Sequence, residues 1–493
     1  MEYFLQGFVT IFTGGPYLLY MFGGVALGLI LGALPGLTGS LGIALMLPFT
    51  YHMEPLTALV FLLSIYTGGL FGGAVTAIAI NTPGSSANIV TMLDGYPMTQ
   101  RGESGRALGL AQMASVLGGL VGCVFLAAAT EAMANISLKF GPGEMFMVVF
   151  FGLSCVGSLA KNPLKSIFAG MFGVLLGTIG MGTTGVIRGT YDIVYLMDGV
   201  PMVPALIGFL ALPEIIGLAG KGFMSDNSHS ASVGVRAVLG GMKEVLLHPV
   251  QTLLCSILGV VVGIIPAAGA SIASVLSYNV SKQVIKGKKF GTGIAEGLVA
   301  AETANNASEG GALSTLFVLG IPGSNSTAML LGALVLQGWS PGPKLFIDNK
   351  AIIYQAFSSL FVQQIVMLIL GVALCACAAY IIKVPTKYLV PFILMFTLVG
   401  AFANRYVAFD VGLMVVFGLL GLLMKKAEFP IMPLILGLLL GGNADNELVR
   451  IFQSYDSFFE IFGSPITVVL TLISVFCVVA PLVSHALTAK KAR

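Results

Sequence analysis

Four long stretches without a charged residue limit what this chain can fold into. They are Tyr3–Tyr51, Pro55–Leu93, Gly310–Pro343 and Ala351–Ile382, with 49, 39, 34 and 32 residues. An α-helix needs about 20 apolar residues to cross the hydrocarbon core of a bilayer, so each stretch can supply at least one crossing. The sequence therefore predicts an all-α polytopic protein of the lipid bilayer, with roughly a dozen transmembrane or re-entrant segments.

The composition argues against several other classes of protein. Only 9% of the 493 residues are charged, whereas soluble domains have about 25%. The net charge of +3 is too small to suggest a nucleic-acid partner. The six cysteines and four histidines show no metal-ligand spacing. We expect no catalytic residues, no cofactor and no metal other than a coupling cation.

Three motifs occur twice in the same order, on either side of a polar stretch at 225–232. The pairs are Gly32–Ser40 (GALPGLTGS) with Gly263–Ser271 (GIIPAAGAS), Asn81–Ser86 (NTPGSS) with Gly320–Asn325 (GIPGSN), and Pro201–Gly208 (PMVPALIG) with Pro430–Gly437 (PIMPLILG). Three matches in register indicate two structural repeats. The predicted organisation is a first repeat at 1–224, a cytoplasmic linker at 225–244, a second repeat at 245–460, and an extra helix with a basic cytoplasmic tail at 461–493.

The loops after the matched motifs differ in charge. TQRGESGR, after the first PG motif, is basic, whereas SPGPKLFIDNK, after the second, is mixed. TYHMEP has no lysine or arginine, whereas its counterpart SKQVIKGKKF has four lysines. Since basic residues favour cytoplasmic loops, equivalent loops are expected on opposite sides of the membrane. The repeats are therefore predicted to have inverted topology, with Pro/Gly-broken helices or re-entrant hairpins.

The two PG motifs interrupt apolar segments, where an unpaired backbone group is costly. Proline ends a helix, and glycine permits a turn and lets a ligand approach the backbone. Half-helices that begin at Ser85 and Ser324 would direct free N–H groups at the break, and such helix ends bind carboxylates or phosphates. The residues predicted to bind substrate are Pro35, Gly36, Asn81, Thr82, Pro83, Gly84, Ser85, Ser86, Pro266, Ala267, Gly320, Pro322, Gly323, Ser324 and Asn325.

Packing is the alternative explanation for these motifs, because glycine and proline often mark kinks or close helix contacts in membranes. Two PG motifs at equivalent positions, each followed by polar residues, favour a binding site. For LPGLTGS and IPAAGAS, binding and packing stay equally open.

The segment Gly293–Gly311 (GIAEGLVAAETANNASEGG) is polar, and Glu302, Asn305 and Asn306 share nearby faces of a helix. Ionisable groups at membrane depth are candidates for function. We predict that Asn305 and Asn306 bind a cation, together with Gly320 and Asn81, whose carbonyls lie at the breaks. Glu296 is instead expected to pair with Lys288 or Lys289 in an interfacial helix.

Two of these segments resemble the large membrane subunit of the tripartite tricarboxylate transporters. They are Gly72–Gly109, with NTPGSS and LDGYP, and Ala300–Leu334, with ANNA and GIPGSN. GALPGL and VPALIGFLALPEI extend the resemblance over nearly the whole chain. It implies an inner-membrane symporter that imports di- or tricarboxylates such as citrate with Na⁺ or H⁺. It also implies a small four-helix membrane subunit and a periplasmic binding protein as partners.

Two other classes remain as alternatives to a secondary transporter. An anion channel or other small-solute permease is one, although a channel would show rings of like charge or a carbonyl-lined filter. An intramembrane enzyme is the other, and it would need an acid–base or metal constellation.

Overall fold

The computed structural model describes residues 2–34, 37–158, 162–219, 233–266, 268–381, 386–403 and 405–491. Within these ranges the chain is almost entirely helical. The helices up to residue 219 are α1 (Glu2–Thr13), α2 (Tyr17–Gly32), α3 (Gly39–Met46), α4 (Pro55–Ile80), α5 (Ile89–Gln100), α6 (Ser104–Ser137), α7 (Pro142–Ser158), α8 (Pro163–Gly177) and α9 (Met202–Ala219). A short hairpin between α8 and α9 pairs β1 (Gly180–Met181) with β2 (Ile187–Arg188) in antiparallel register.

The remaining helices belong to the second part of the chain. They are α10 (Val235–Val245), α11 (Pro249–Ile264), α12 (Gly269–Val284), α13 (Ala295–Leu319), α14 (Asn325–Leu336), α15 (Leu345–Asp348), α16 (Lys350–Ile381), α17 (Thr386–Ala403), α18 (Ala408–Lys426), α19 (Ile431–Ser454) and α20 (Pro465–Lys491). Short 3₁₀ turns lie at Leu47–His52, Ser86–Asn88, Val194–Leu196 and Phe458–Gly463.

This all-α, apolar architecture is that of a polytopic membrane protein, as the charge-free stretches predict. In the described ranges, α4, α6, α16 and α18 are each long and apolar enough to cross a membrane. Two bent pairs also qualify: α1 with α2, bent by 89°, and α10 with α11, bent by 82°. Shorter apolar helices of 10–17 residues accompany them. The number of crossings stays a prediction.

The helices of the two halves follow one another in a similar order. The buried helices α4 and α13, of 26 and 25 residues, both end at a PG break and are followed by the 12-residue helices α5 and α14. Long helices of 34 and 32 residues, α6 and α16, come next. Packing is reciprocal as well, because α8 packs against α19 and α18 packs against α9. The two halves therefore match in the order, length and packing of these helices.

Glycines allow α4 and α13 to lie against their neighbours backbone to backbone. A Cβ on Gly28 of α2 would lie 2.2 Å from the carbonyl oxygen of Ile65 in α4. A Cβ on Gly263 of α11 would lie 2.2 Å from the carbonyl oxygen of Ser308 in α13. Small residues permit such close approach in membrane proteins. The two helices that end at the breaks are thus held firmly in the interior.

The predicted linker at 225–244 lies partly outside the described residues. Its second part forms α10, which packs on α6 and pairs Glu244 with Arg106 at 2.7 Å. The linker therefore contains a helix that joins the two halves. The C-terminal segment forms α20, which packs mainly on α7.

Candidate functional site

Both broken helices end at a residue with left-handed backbone conformation. α4 is capped by Asn81, with φ of 56°, and α13 by Gly320, with φ of 71°. Glycine adopts this conformation freely, and asparagine does so more readily than most other residues. The residue types at these matched positions therefore explain why both helices stop there.

The glycine of each PG motif packs against the preceding motif of its own half. A Cβ on Gly84 would lie 2.4 Å from the carbonyl oxygen of Gly32, and a Cβ on Gly323 would lie 3.1 Å from that of Gly263. Gly32 and Gly263 themselves occupy matched positions. Each glycine thus lets the break lie close to the helix beside it. This packing role is in addition to the predicted role in substrate binding.

Ser85 and Ser324 occupy the N-cap positions of the segments that follow the breaks, as predicted, and of the two only the Ser324 side chain caps the backbone. Ser324 forms a capping box with Thr327, in which the Thr327 amide lies 3.2 Å from Ser324 Oγ and the Ser324 amide 2.8 Å from Thr327 Oγ1. Ser85 Oγ donates to Asn88 Oδ1 at 2.7 Å. Both hydroxyls are therefore engaged locally. Sequence reasoning missed Thr327 and Asn88, although their position three residues after the serine is the capping-box spacing.

A cavity of about 310 Å³ lies where the two breaks meet. Its lining residues are Thr38, Ser40, Leu41, Pro83, Gly84, Ser85, Ser86, Ile89, Leu210, Glu214 and Asn325. Ser86 and Asn325 are exposed, and Ser86 Oγ lies 2.6 Å from Ser271 Oγ of the second half. The carboxylate of Glu214 is paired with Lys425 at 2.9 Å. The structure thus brings residues of both PG motifs to one polar cavity.

Some of the residues predicted to bind substrate lie elsewhere. Pro35, Gly36 and Ala267 lie outside the described residues. Among the described ones, those that do not line this cavity are Asn81, Thr82, Pro266, Gly320, Pro322, Gly323 and Ser324. Of these, Gly320 lines a larger cavity of about 960 Å³. The cavity therefore involves a subset of the predicted residues, together with Thr38 and Ser40 from the stretch after the first LPG motif.

The larger cavity lies at the other end of α14. Asn325, the first residue of α14, lines the small cavity, whereas Val335 near its end lines the large one. A 12-residue helix is about 18 Å long. A third cavity of about 480 Å³ adjoins the large one. Four basic residues line these two cavities, and three of them are ion-paired with acids: Arg188 with Asp445, Arg405 with Asp410 and Arg450 with Glu447. The fourth, Lys344, has no ion pair among the described residues. α14 therefore separates the break cavity from a wider vestibule with basic residues.

Glu302 is fully buried in α13 and joins the two halves through hydrogen bonds. Its carboxylate accepts from Asn88 Nδ2 at 3.2 Å and from Thr91 Oγ1, both just after the first break. It also accepts from Ser115 Oγ of α6 at 3.1 Å and from Asn305 Nδ2 at 3.4 Å. This network holds α13 against the segment that begins at the first break.

The residues predicted to bind a cation do not form one site. Asn305 and Asn306 are fully buried, their amide nitrogens bond to Glu302, and their Oδ1 atoms have no partner among the described residues. Gly320 lies some 14 residues beyond Asn306 in the same continuous helix, about 21 Å along its axis. Asn81 ends a different helix, α4. Gly320 and the two asparagines are therefore too far apart to ligate one ion, because α13 is unbroken between them, and cation binding by any of them stays a prediction.

The predicted pairing of Glu296 is confirmed by an ion pair with Lys288. The helix that contains Glu296 is not interfacial, however, because α13 is buried along nearly its whole length. Its glycines permit this burial: a Cβ on Gly310 would lie 2.0 Å from the carbonyl oxygen of Gly122 in α6.

Asp94 of the LDGYP motif, which sequence reasoning did not single out, caps α13 from a distance. Its Oδ1 accepts from the amides of Gly291, Gly293 and Ile294 at 3.0, 2.8 and 3.0 Å, and its Oδ2 accepts from the Tyr278 hydroxyl at 2.8 Å. Its position could have indicated a role, because Asp94 is a lone acid directly after a charge-free stretch of 39 residues. A carboxylate at a helix N-terminus is stabilising.

Helices that break at matched positions around a shared polar cavity are typical of secondary transporters. The family model that describes the tripartite tricarboxylate transporter TctA family matches residues 18–436. The chain belongs to this family of transporters.

Two relatives come from Agrobacterium vitis. One, described as an uncharacterized 52.8 kDa protein in the TAR-I ttuC' 3' region, is 33% identical over 484 residues, which cover 97% of this chain and 95% of the relative. The other, described as an uncharacterized protein in the TAR-II ttuC' 3' region, is 32% identical over 193 residues, which cover 39% of this chain and 80% of the relative. No solved structure matches the chain.

Proposed function

We propose that this chain is the large membrane subunit of a cation-coupled importer of di- or tricarboxylates such as citrate. Membership of the tripartite tricarboxylate transporter family supports the class of substrate. The observation that carries the proposal is the cavity at which Ser86 and Asn325, the first residues after the two breaks, lie together. We place the protein in the bacterial inner membrane, with its C-terminus in the cytoplasm.

The cavity suits a carboxylate although no basic side chain lines it among the described residues. The amides of Ser86 and Asn325 belong to first turns, where an N–H has no acceptor within the helix. Such helix ends also have a partial positive charge. Pairing with Lys425 neutralises the acidic Glu214 at the rim. A volume of about 310 Å³ lies within the range of small-molecule sites.

Transport requires access to the site from both sides of the membrane. In this proposal α14 lies between the break cavity and the vestibule at Lys344 and Arg450, and its displacement opens one side or the other. Inverted repeats would provide two related conformations for this movement. The reciprocal packing of α8 with α19 and of α18 with α9 supports such repeats, as does the opposite charge of the equivalent loops TYHMEP and SKQVIKGKKF.

The proposed partners are a small four-helix membrane subunit and a periplasmic binding protein that delivers the carboxylate. The stretch Ser340–Lys350, predicted to be periplasmic, contributes Ser340 and Lys344 to the wide vestibule. A basic group at an entrance raises the local concentration of an anion. The vestibule is thus the side from which we expect substrate to arrive.

Uptake of radiolabelled citrate into membrane vesicles tests the proposal. It is measured with and without the binding protein and with and without a sodium or proton gradient. We expect uptake to depend on both the binding protein and one gradient. Full uptake without the binding protein refutes the tripartite assignment, uptake indifferent to any gradient indicates a channel, and chemical conversion of citrate indicates an enzyme.

Variants of the break residues locate the site. In this proposal the Ser86 hydroxyl and the Asn325 side-chain amide add to the backbone amides in binding the carboxylate. Ser86→Ala combined with Asn325→Ala removes both side-chain groups and should raise the KM for citrate at least about tenfold, because a lost hydrogen bond to a charged group costs about 1.5–3 kcal/mol. Ser154→Ala is the matched control, since the Ser154 hydroxyl bonds to the Phe150 carbonyl within its own helix at 2.7 Å. An unchanged KM in the double variant would mean that neither side chain binds citrate.

A further inference from the structure

Glu309 is a second buried acid of α13, and its surroundings differ from those of Glu302. Its Oε1 accepts one hydrogen bond, from Thr67 Oγ1 at 3.0 Å, and its Oε2 has no partner in the part of the chain that the structure describes. The carboxylate of Glu302 accepts four side-chain hydrogen bonds. One hydroxyl does not compensate for taking an ionised carboxylate out of water, so a positive charge has to neutralise Glu309.

The groups around Glu309 can hold such a charge. Thr67 Oγ1 lies 3.3 Å from Gln363 Oε1 of α16. The carboxylate therefore lies beside the Thr67 hydroxyl of α4, which in turn lies beside an amide oxygen of α16. Oxygen ligands with one negative charge suit a small, hard cation.

We propose that Glu309 binds the single positive charge, a sodium ion or a proton, whose entry drives transport. Glu309 lies on α13, the helix whose end at Gly320 forms the second break. The inference rests on the proposed carboxylate import, and it names Glu309 as the residue that binds the coupling cation. Asn305, one turn earlier on the same face of α13, supplies an unpaired oxygen nearby.

Gradient-driven uptake tests the role of Glu309. Vesicles with the complete transporter take up radiolabelled citrate under an inward sodium gradient, an inward proton gradient or neither. The wild type should respond to one gradient, which identifies the cation. In Glu309→Gln the stimulation of uptake by that gradient should fall at least about tenfold. Exchange of internal for external citrate should continue. Retained stimulation in Glu309→Gln overturns the inference, whereas a wild type without uptake under any condition refutes the proposed function instead.

A second variant keeps the test decisive if Glu309→Gln fails to fold. Thr67→Val keeps the acid but removes its hydroxyl partner, and it should change the cation concentration for half-maximal uptake about tenfold. The concentration should fall for a proton, because the ionised acid loses its donor, and rise for sodium, because the ion loses an oxygen ligand. Thr130→Val is the matched control, since Thr130 bonds only within α6 to the Leu126 carbonyl. An unchanged half-saturation in Thr67→Val overturns the inference.

Discussion

Replacement of Asp94 should destabilise the protein in a graded way. Asp94→Ala leaves the amides of Gly293 and Ile294 without an acceptor at the start of α13. An unpaired buried donor costs about 1–3 kcal/mol, so the two amides together predict a loss of about 2–6 kcal/mol. The Gly291 amide adds less, because Gly291 is exposed and water can replace the carboxylate.

Asp94→Asn should cost only about 1–2 kcal/mol, because its oxygen still faces the amides and only the charge is lost. The amide nitrogen then faces the hydroxyl of Tyr278, which can rotate to accept. The free energy of unfolding is measured by reversible denaturation in mixed detergent micelles, with Asp348→Ala at an exposed position as the control. Equal stability of Asp94→Asn and Asp94→Ala, or a loss below about 0.5 kcal/mol in both, would refute the capping argument.

Two further predictions concern the breaks and the topology. Gly84→Ala should sharply lower the yield of folded protein, because the new Cβ meets a carbonyl oxygen at 2.4 Å. Gly323→Ala should lower the yield less, because the nearest atom to its new Cβ, Ala312 Cβ, lies at 2.9 Å. Size-exclusion profiles of the two variants check this, and equal profiles would contradict it. Single cysteines at Asp348 and Lys288 should react with an impermeant reagent from opposite sides of the membrane, and labelling from one side would contradict inverted repeats.

The helical class and the two breaks could be predicted because local sequence encodes them. Charge-free stretches determine the class, and the proline–glycine pairs at 83–84 and 322–323 follow the ends of α4 and α13, since proline cannot continue a helix. The end of α4 at Asn81 and of α13 at Gly320 follows from residue types that tolerate a left-handed backbone. These features depend on a few neighbouring residues, so no knowledge of the tertiary structure was needed.

The composition of the site could not be predicted in the same way. The Ser86–Ser271 contact joins residues 185 positions apart, and Thr67 meets Glu309 over 242 positions. No local sequence pattern indicates a contact between residues so far apart in the chain. The polar, glycine-rich sequence of α13 also obscured its burial, because packing of Gly310 against α6 becomes visible only when both helices are placed. The spread of the predicted cation ligands along α13 follows from the same unforeseen continuity of this helix.

The position of bound citrate tests the central claim most directly. A structure of the complete transporter with citrate should place a carboxylate about 2.7–3.2 Å from the amides of Ser86 and Asn325, between the two breaks. Citrate bound instead in the vestibule at Lys344 and Arg450, with the break cavity empty at saturating substrate, would contradict the account.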